Sequence, residues 1–225
     1  STTRLSLVDR GFVPDQRRMR EALGVAGEQV IDLAPLSADA GCRLFAERVH
    51  GALLWAELSG LSAAQRRQRV ESDPRFHNWG LLQTCLDRCL FWVRNDVAEA
   101  VEVAHLATVV VDRLEVGRYG SALLADFRGA ALRALGNAKR VATDFTGAAL
   151  AFAQADEALQ RGTQDPLERI QLLSCRSSLD KDLGDFKEAI LGLLPAVDLA
   201  EQMNDRRWLG RLLVQQATAL GNLHP

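Results

Sequence analysis

No apolar run in this sequence approaches the roughly 20 residues that span a bilayer. The longest, such as Ala107 to Val111, meet a charge after a few residues, which argues against a membrane-spanning helix. The first residues hold no basic stretch followed by an apolar signal segment. Net charge is only −2, so no general attraction to nucleic acid or to an acidic membrane surface is expected. The four cysteines form no compact framework and read as reduced thiols, not staples. The expectation from these absences is a cytoplasmic protein without membrane contact. Proline is scarce, with six residues, aromatics make up 6% of the chain, and β-branched runs are short, all of which weighs against a β architecture.

Catalytic signatures are missing as well. No Gly-x-Ser-x-Gly elbow, phosphate-binding glycine loop or nucleophilic-cysteine pattern occurs. Glu47 and His50 share a helical turn, with Glu57 further along, but this is not the His-Glu-x-x-His of metalloproteases and reads as a surface pair. Cys85 and Cys89 are four apart, on one helical face, and with His77 or His105 they approach the composition of a tetrahedral metal site. Their neighbours Leu81, Leu82, Leu86, Leu90 and Phe91 instead mark them as small buried hydrophobes. No metal, cofactor or catalytic residue is expected, and the chain is not read as an enzyme.

What the chain does have is helix. Ala, Leu, Arg, Glu and Gln dominate, residues that lose little rotamer freedom in a helix. Ser37 is placed to cap a segment running to Gly60, whose Leu44, Phe45, Val49, Leu53, Leu54 and Leu58 recur at three- and four-residue spacing and predict one apolar face. Ser62 caps a basic helix with Arg66, Arg67 and Arg69, read as a solvated charged face, which Asp73-Pro74 ends. Regular helices are then predicted over 79–94, 97–114, 121–142, 144–160, 165–183, 185–203 and 205–221. Gly117-Arg118-Tyr119-Gly120 serves as a connection. Such lengths with short loops predict antiparallel hairpins.

A turn signature repeats along these helices. Asp185-Phe186-Lys187-Glu188-Ala189 is echoed by Asp144-Phe145-Thr146-Gly147-Ala148 and by Asp96-Val97-Ala98-Glu99-Ala100, with starts 48 and then 41 residues apart. These stretches resemble the tetratricopeptide repeat (TPR), with Leu183-Gly184-Asp185-Phe186, Ala189, Leu193 and Ala196 in one copy. Phe145, Ala148, Phe152 and Ala155 carry a second copy, and Asn95, Ala100, Ala104 and Ala107 the first. The resemblance covers about residues 79–221. Its spacings exceed the usual 34, and the helix before Asp144 is about two turns too long. The resemblance implies an all-α fold, a right-handed α-solenoid of antiparallel helical hairpins over residues 76–225 behind an N-terminal helical region, 1–75. In it the alanines would let helices approach closely, while Phe145 and Phe186 plug the gap to the next hairpin. Gly136-Asn137 and Leu220-Gly221-Asn222 echo the turn, and the latter reads as a fourth hairpin cut short before its second helix.

The resemblance further implies that the first helix of each hairpin lines a concave surface. Counting back from each turn places Cys85, Cys89 and Trp92 there, then Arg133, Asn137 and Arg140, then Ser174, Ser178 and Lys181. The last helix adds Trp208, Arg211 and Gln215. The cations favour an acidic stretch of protein or peptide, or another domain of the same chain, held by bidentate arginine contacts. The function expected is a scaffold or adaptor, alone or as the regulatory part of a longer protein. A second class is a transcriptional regulator: Met19, Leu23, Gly24, Val25, Val30 and Leu33 fall near the positions of a helix-turn-helix, with Arg17, Arg18 and Arg20 toward phosphates. Against DNA binding, Arg20 stands where that motif wants a small residue, and Glu28 and Asp32 would face the groove.

Overall fold

The structure, a computed structural model, describes residues 38–223. The helix-turn-helix reading of residues 14–34 and the Ser37 cap lie outside the described residues. Among the described residues all regular structure is helical. The helices are α1 (Ala38–Ser59), α2 (Ala63–Ser72), α3 (Trp79–Trp92), α4 (Val97–Asp112), α5 (Val116–Tyr119), α6 (Ser121–Val141), α7 (Phe145–Gln160), α8 (Pro166–Asp182), α9 (Phe186–Gln202) and α10 (Arg206–Leu223). A 3-10 turn over Pro74–Phe76 precedes α3. Chain neighbours pack as pairs, α3 with α4, α6 with α7, α8 with α9 and α9 with α10, while α1 lies along α3 and α2 against α4.

Caps explain why the helices begin where they do. Ser62 and Gln65 form a reciprocal capping box at α2. The side chains of Asn78, Asp96, Asp144 and Asp165 accept backbone N–H groups of α3, α4, α7 and α8 at 2.8–3.1 Å, and Asp205 accepts from Arg207 and Trp208 at the start of α10. Asp185, expected to cap α9, holds the N-cap position without a side-chain hydrogen bond. The residue before the Asp has positive φ in four of these turns: Thr143 (62°), Gln164 (62°), Gly184 (88°) and Asn204 (52°). Three of the turns close identically, with the Asp N–H donating to the carbonyl five residues back: Asp144 to Lys139, Asp185 to Asp180, Asp205 to Ala200.

Only Gly184 occupies that left-handed position without steric cost. Thr143 is β-branched and exposed. Thr143→Gly is therefore expected to stabilise the fold by about 1 kcal/mol and to raise Tm by about 2–4 °C, read by thermal denaturation. A lower Tm would contradict the strained turn.

The core runs as three clusters in chain order. The largest joins Leu54, Trp55 and Leu58 of α1, Val70 of α2 and Phe76 to Leu81, Leu82 and Cys85 of α3 and to α4, reaching Ala131 and Leu135 of α6. Phe152 and Leu159 of α7 with Leu172 and Leu179 of α8 form the second, and Ile170, Leu193, Ala196, Ala200 and Leu212 the third. The seam alanines of the repeat are where close approach was expected: Ala100, Ala104, Ala107, Ala148, Ala155, Ala189 and Ala196 are all fully buried. At one seam Ser177 Oγ donates to the Ala189 carbonyl at 2.8 Å. Phe145 and Phe186 are half-buried, whereas the Phe152 ring is fully enclosed.

Several sequence expectations are corrected. Val49 and Leu53, assigned to the apolar face of α1, are 42% and 65% exposed; the buried stripe is Glu47, Gly51, Leu54, Trp55 and Leu58. Gly51 and Gly80 mark the crossing of α1 and α3, where a Cβ on Gly51 would lie 2.7 Å from Leu81 N and one on Gly80 2.9 Å from Arg48 N, with other backbone atoms nearer still. Gly136-Asn137 is not a turn but the interior of α6, where a Cβ on Gly136 would lie 2.5 Å from the Phe152 ring. Leu220-Gly221-Asn222 is likewise helical, within α10. Arg66 is not solvated: it is buried, pairs with Glu99 and donates to the carbonyls of Leu58 and Ser59 at 3.2 Å. That is possible because α2 lies on α4, which brings Glu99 across to it.

Glu47 is no surface residue either. It is buried, accepting from Trp79 N at 3.1 Å, from Tyr119 Oη at 2.6 Å, and from Arg118. The connection Gly117–Gly120 thus includes a short helix, α5, pinned back on α1. Burial, and donation to Glu47, push the Tyr119 hydroxyl pKa up.

Candidate functional site

The row counted along α6, α8 and α10 is brought together, but largely by bonding to itself. On α6, Arg133 donates to Glu168 of α8 at 3.1 Å. Burial works against that charge, but Glu168 and Cys175 together more than offset it, so the Arg133 pKa lies above the ordinary arginine value. Its Nε is buried with no hydrogen-bond partner among the described residues. One turn and more further on, Arg140 donates to Asn137 Oδ1 at 3.1 and 3.2 Å and pairs with Asp182 of α8. Lys181 Nζ stands 3.9 Å from the same Asp182.

Between α8 and α10 the link is neutral. Ser174 Oγ donates to Gln215 Oε1 at 2.9 Å, and Gln215 Nε2 donates to the Ser174 carbonyl at 2.8 Å and to Ser178 Oγ at 3.0 Å. Arg211 is exposed and stacks on Trp208, 5.0 Å from the ring centroid, with no ion pair among the described residues. Sequence reasoning passed over Cys175, which lies where the charges of Arg133, Arg140 and Arg211 are felt. Burial pushes its thiol pKa up, and the three cations offset only part of that.

The first hairpin does not extend the row as counted. Cys85 and Cys89 are enclosed in the core, and Cys89 Sγ points at the carbonyls of Ala100 and Ala134 at 3.6 and 3.9 Å. Burial pushes both thiols up, Cys89 to about 11 and Cys85 further, so neither is a reactive thiolate. The register fails here because α4 and α6 close over this side of α3, with the core around both thiols. Trp92 alone is half-open, at the far end of the helix.

Two clefts lie away from the row. One of about 440 Å³ is lined by Glu57, Leu61, Gln65, Gln68, Arg69 and Ser72 along α1 and α2. The other, about 330 Å³, lies where α1, α2, α3 and α4 meet and includes Trp55, Arg66, Arg88, Trp92 and Glu99. The sequence grouped none of these residues into clefts, since each cleft draws on helices separated along the chain or on opposite sides of a turn. Among the described residues no three His, Cys, Asp or Glu side chains are grouped so as to hold a metal, and no helix is long and apolar enough to cross a membrane. No family model, no curated protein and no solved structure matches the chain. The functional reading therefore rests on the side chains themselves.

Proposed function

We propose that this chain is a non-enzymatic, TPR-like scaffold, a right-handed solenoid of helical hairpins that binds an acidic stretch of protein or peptide across α6, α8 and α10. The observation that carries this reading is a local excess of cations. Arg140 and Lys181 share the carboxylate of Asp182, and among the described residues Arg211 has no ion pair and lies on the face of Trp208. An entering carboxylate would complete a pairing that the protein itself leaves short, gaining charge-assisted hydrogen bonds. The Ser174–Gln215–Ser178 network holds α8 and α10 at fixed spacing beneath it, so little ordering remains to be done on binding. The core divided along the chain order, with each helix pair sharing apolar side chains with the next, supports the repeat architecture.

The test is capture from a defined library of acidic peptides by the immobilised protein. Arg140→Glu combined with Lys181→Glu is expected to weaken capture at least tenfold, since two charge-assisted contacts are each worth about 1.5–3 kcal/mol. Unchanged capture by the folded double variant would overturn the site.

A further inference from the structure

The cleft where α1 to α4 meet has a composition that the scaffold reading does not use. Its α1 wall is made of small residues, Ala52, Ala56 and Ser59, with Trp55 behind them. Trp55 is buried, and the guanidinium of Arg66 lies over its ring, 5.4 Å from the centroid. Arg66 is already neutralised by Glu99 and two backbone carbonyls. The opposite wall is α3, which contributes Arg88 and, one turn later, Trp92.

Two groups there are left short of partners. Arg88 is exposed and enters no ion pair among the described residues, so the cleft, with Arg66 and Glu99 cancelling, has one net positive charge. Trp92 carries a buried indole N–H without an acceptor among the described residues, a state uncommon in folded proteins because the lost hydrogen bond is not recovered elsewhere. Its ring is held edge-on to Phe91 at 5.0 Å.

We propose that this cleft binds an aromatic carboxylate, its ring among Trp55, Trp92 and the small side chains of α1, and its carboxylate on Arg88. Aromatic rings pack edge-on or offset against indole, and the planar guanidinium takes a carboxylate through paired N–H donors. A volume of about 330 Å³ suits one ring with a short acid arm and is at the small end of ligand sites. A helix or an extended peptide would not fit, although the last residue of a chain ending in Phe presents the same chemistry as a free acid. A carboxylate oxygen arriving beside the Trp92 ring also offers an acceptor to its indole N–H after a small rotation of the side chain. This site is independent of the acidic-peptide reading of α6, α8 and α10.

The experiment is ¹⁵N NMR of the four tryptophan indole resonances, with Trp92→Phe and Trp55→Phe identifying two of them. The probes are phenylacetate, its neutral amide, and a short peptide ending in Phe with a free or an amidated terminus. Saturable shifts confined to the Trp55 and Trp92 signals are expected with the carboxylates, weakened tenfold or more by Arg88→Ala and equally by either amide. Ala56→Phe, at an exposed position, fills the cleft and abolishes the shifts while keeping a dispersed spectrum; should it unfold, Arg88→Ala alone decides. Binding of the peptide without phenylacetate assigns a chain terminus as the natural occupant, and comparable binding of both assigns a free acid. No saturable shift with any probe, or equal binding of acids and amides, would overturn the proposal.

Discussion

Gly80→Ala is expected to lower Tm by about 6–12 °C, against the ordinary rule for helices. Exchanging glycine for alanine inside an exposed helix stabilises by about 1 kcal/mol, because alanine loses less backbone entropy. At position 80 the added methyl would run into the carbonyl of Glu47 and lie 2.9 Å from Arg48 N. These are backbone atoms and have no rotamer to escape to, so α1 must shift as a body away from α3. The shift loosens Leu54, Trp55 and Leu58 from Leu81, Leu82 and Cys85, all of one core. Overpacking of this kind costs about 3 kcal/mol, and each kcal/mol moves Tm by about 2–4 °C in a chain of this size.

Gly51→Ala meets the same crossing from the other side. Once either variant has parted the helices, the second costs little, so the double variant should fall well short of the sum. Thermal denaturation followed by circular dichroism measures all three. A Tm for Gly80→Ala at or above that of the parent would mean that α1 does not cross α3 here.

Glu47→Ala should cost a similar amount, about 3 kcal/mol, for an electrostatic reason. The carboxylate satisfies Trp79 N, one of the first-turn N–H groups that a helix cannot bond internally, together with the Tyr119 hydroxyl and Arg118. Alanine takes away the acceptor of the Tyr119 hydroxyl and leaves Trp79 N to the Tyr119 oxygen, which it already meets at 3.1 Å, inside a core where Tyr119 and Trp79 both pack on Phe127, at 5.8 and 6.2 Å between ring centroids. Arg118 adds little, since its side chain is 43% exposed and returns to water. Glu47→Gln keeps an acceptor oxygen and should lose less than half as much. Tyr119→Phe combined with Glu47→Ala should show a coupling of about 1–2 kcal/mol. Denaturant unfolding gives each value, and strict additivity of the two single changes would break the proposed link between α5 and α1.

Both predictions concern residues that gave no sign of their importance in sequence. Glu47 read as one half of a surface pair with His50, because its partners lie 32 and more than 70 residues away. Gly51 and Gly80 drew no reading of their own in sequence, and the crossing of α1 and α3 explains them. The candidate row shows the same division. Of the residues counted from the turns, Arg140 meets Asn137 within α6, and Ser174 and Ser178 of α8 meet Gln215 of α10. That Arg133 and Arg140 already hold Glu168 and Asp182, 35 and 42 positions along the chain, was beyond any count. The register broke at Cys85 and Cys89 because it assumed an open face on α3, and α4 and α6 close on Cys89 there.

What the sequence determined by itself is local in origin. Helix formation and capping involve residues within about four positions of each other, so Ser62, Asp96, Asp144, Asp165 and Asp205 announced where helices begin. Alanines at helical spacing announced the seams, since a small side chain is what lets two helices close. The tertiary structure alone decided which polar groups are spent inside the fold and which remain for a partner. Burial of Glu47 and Arg66, the pairing of Arg140, and the cleft beside Trp92 each depend on helices far apart in the chain meeting at one point. No periodicity within a helix encodes such a meeting, because the energy that fixes it belongs to the contact and not to either strand of sequence.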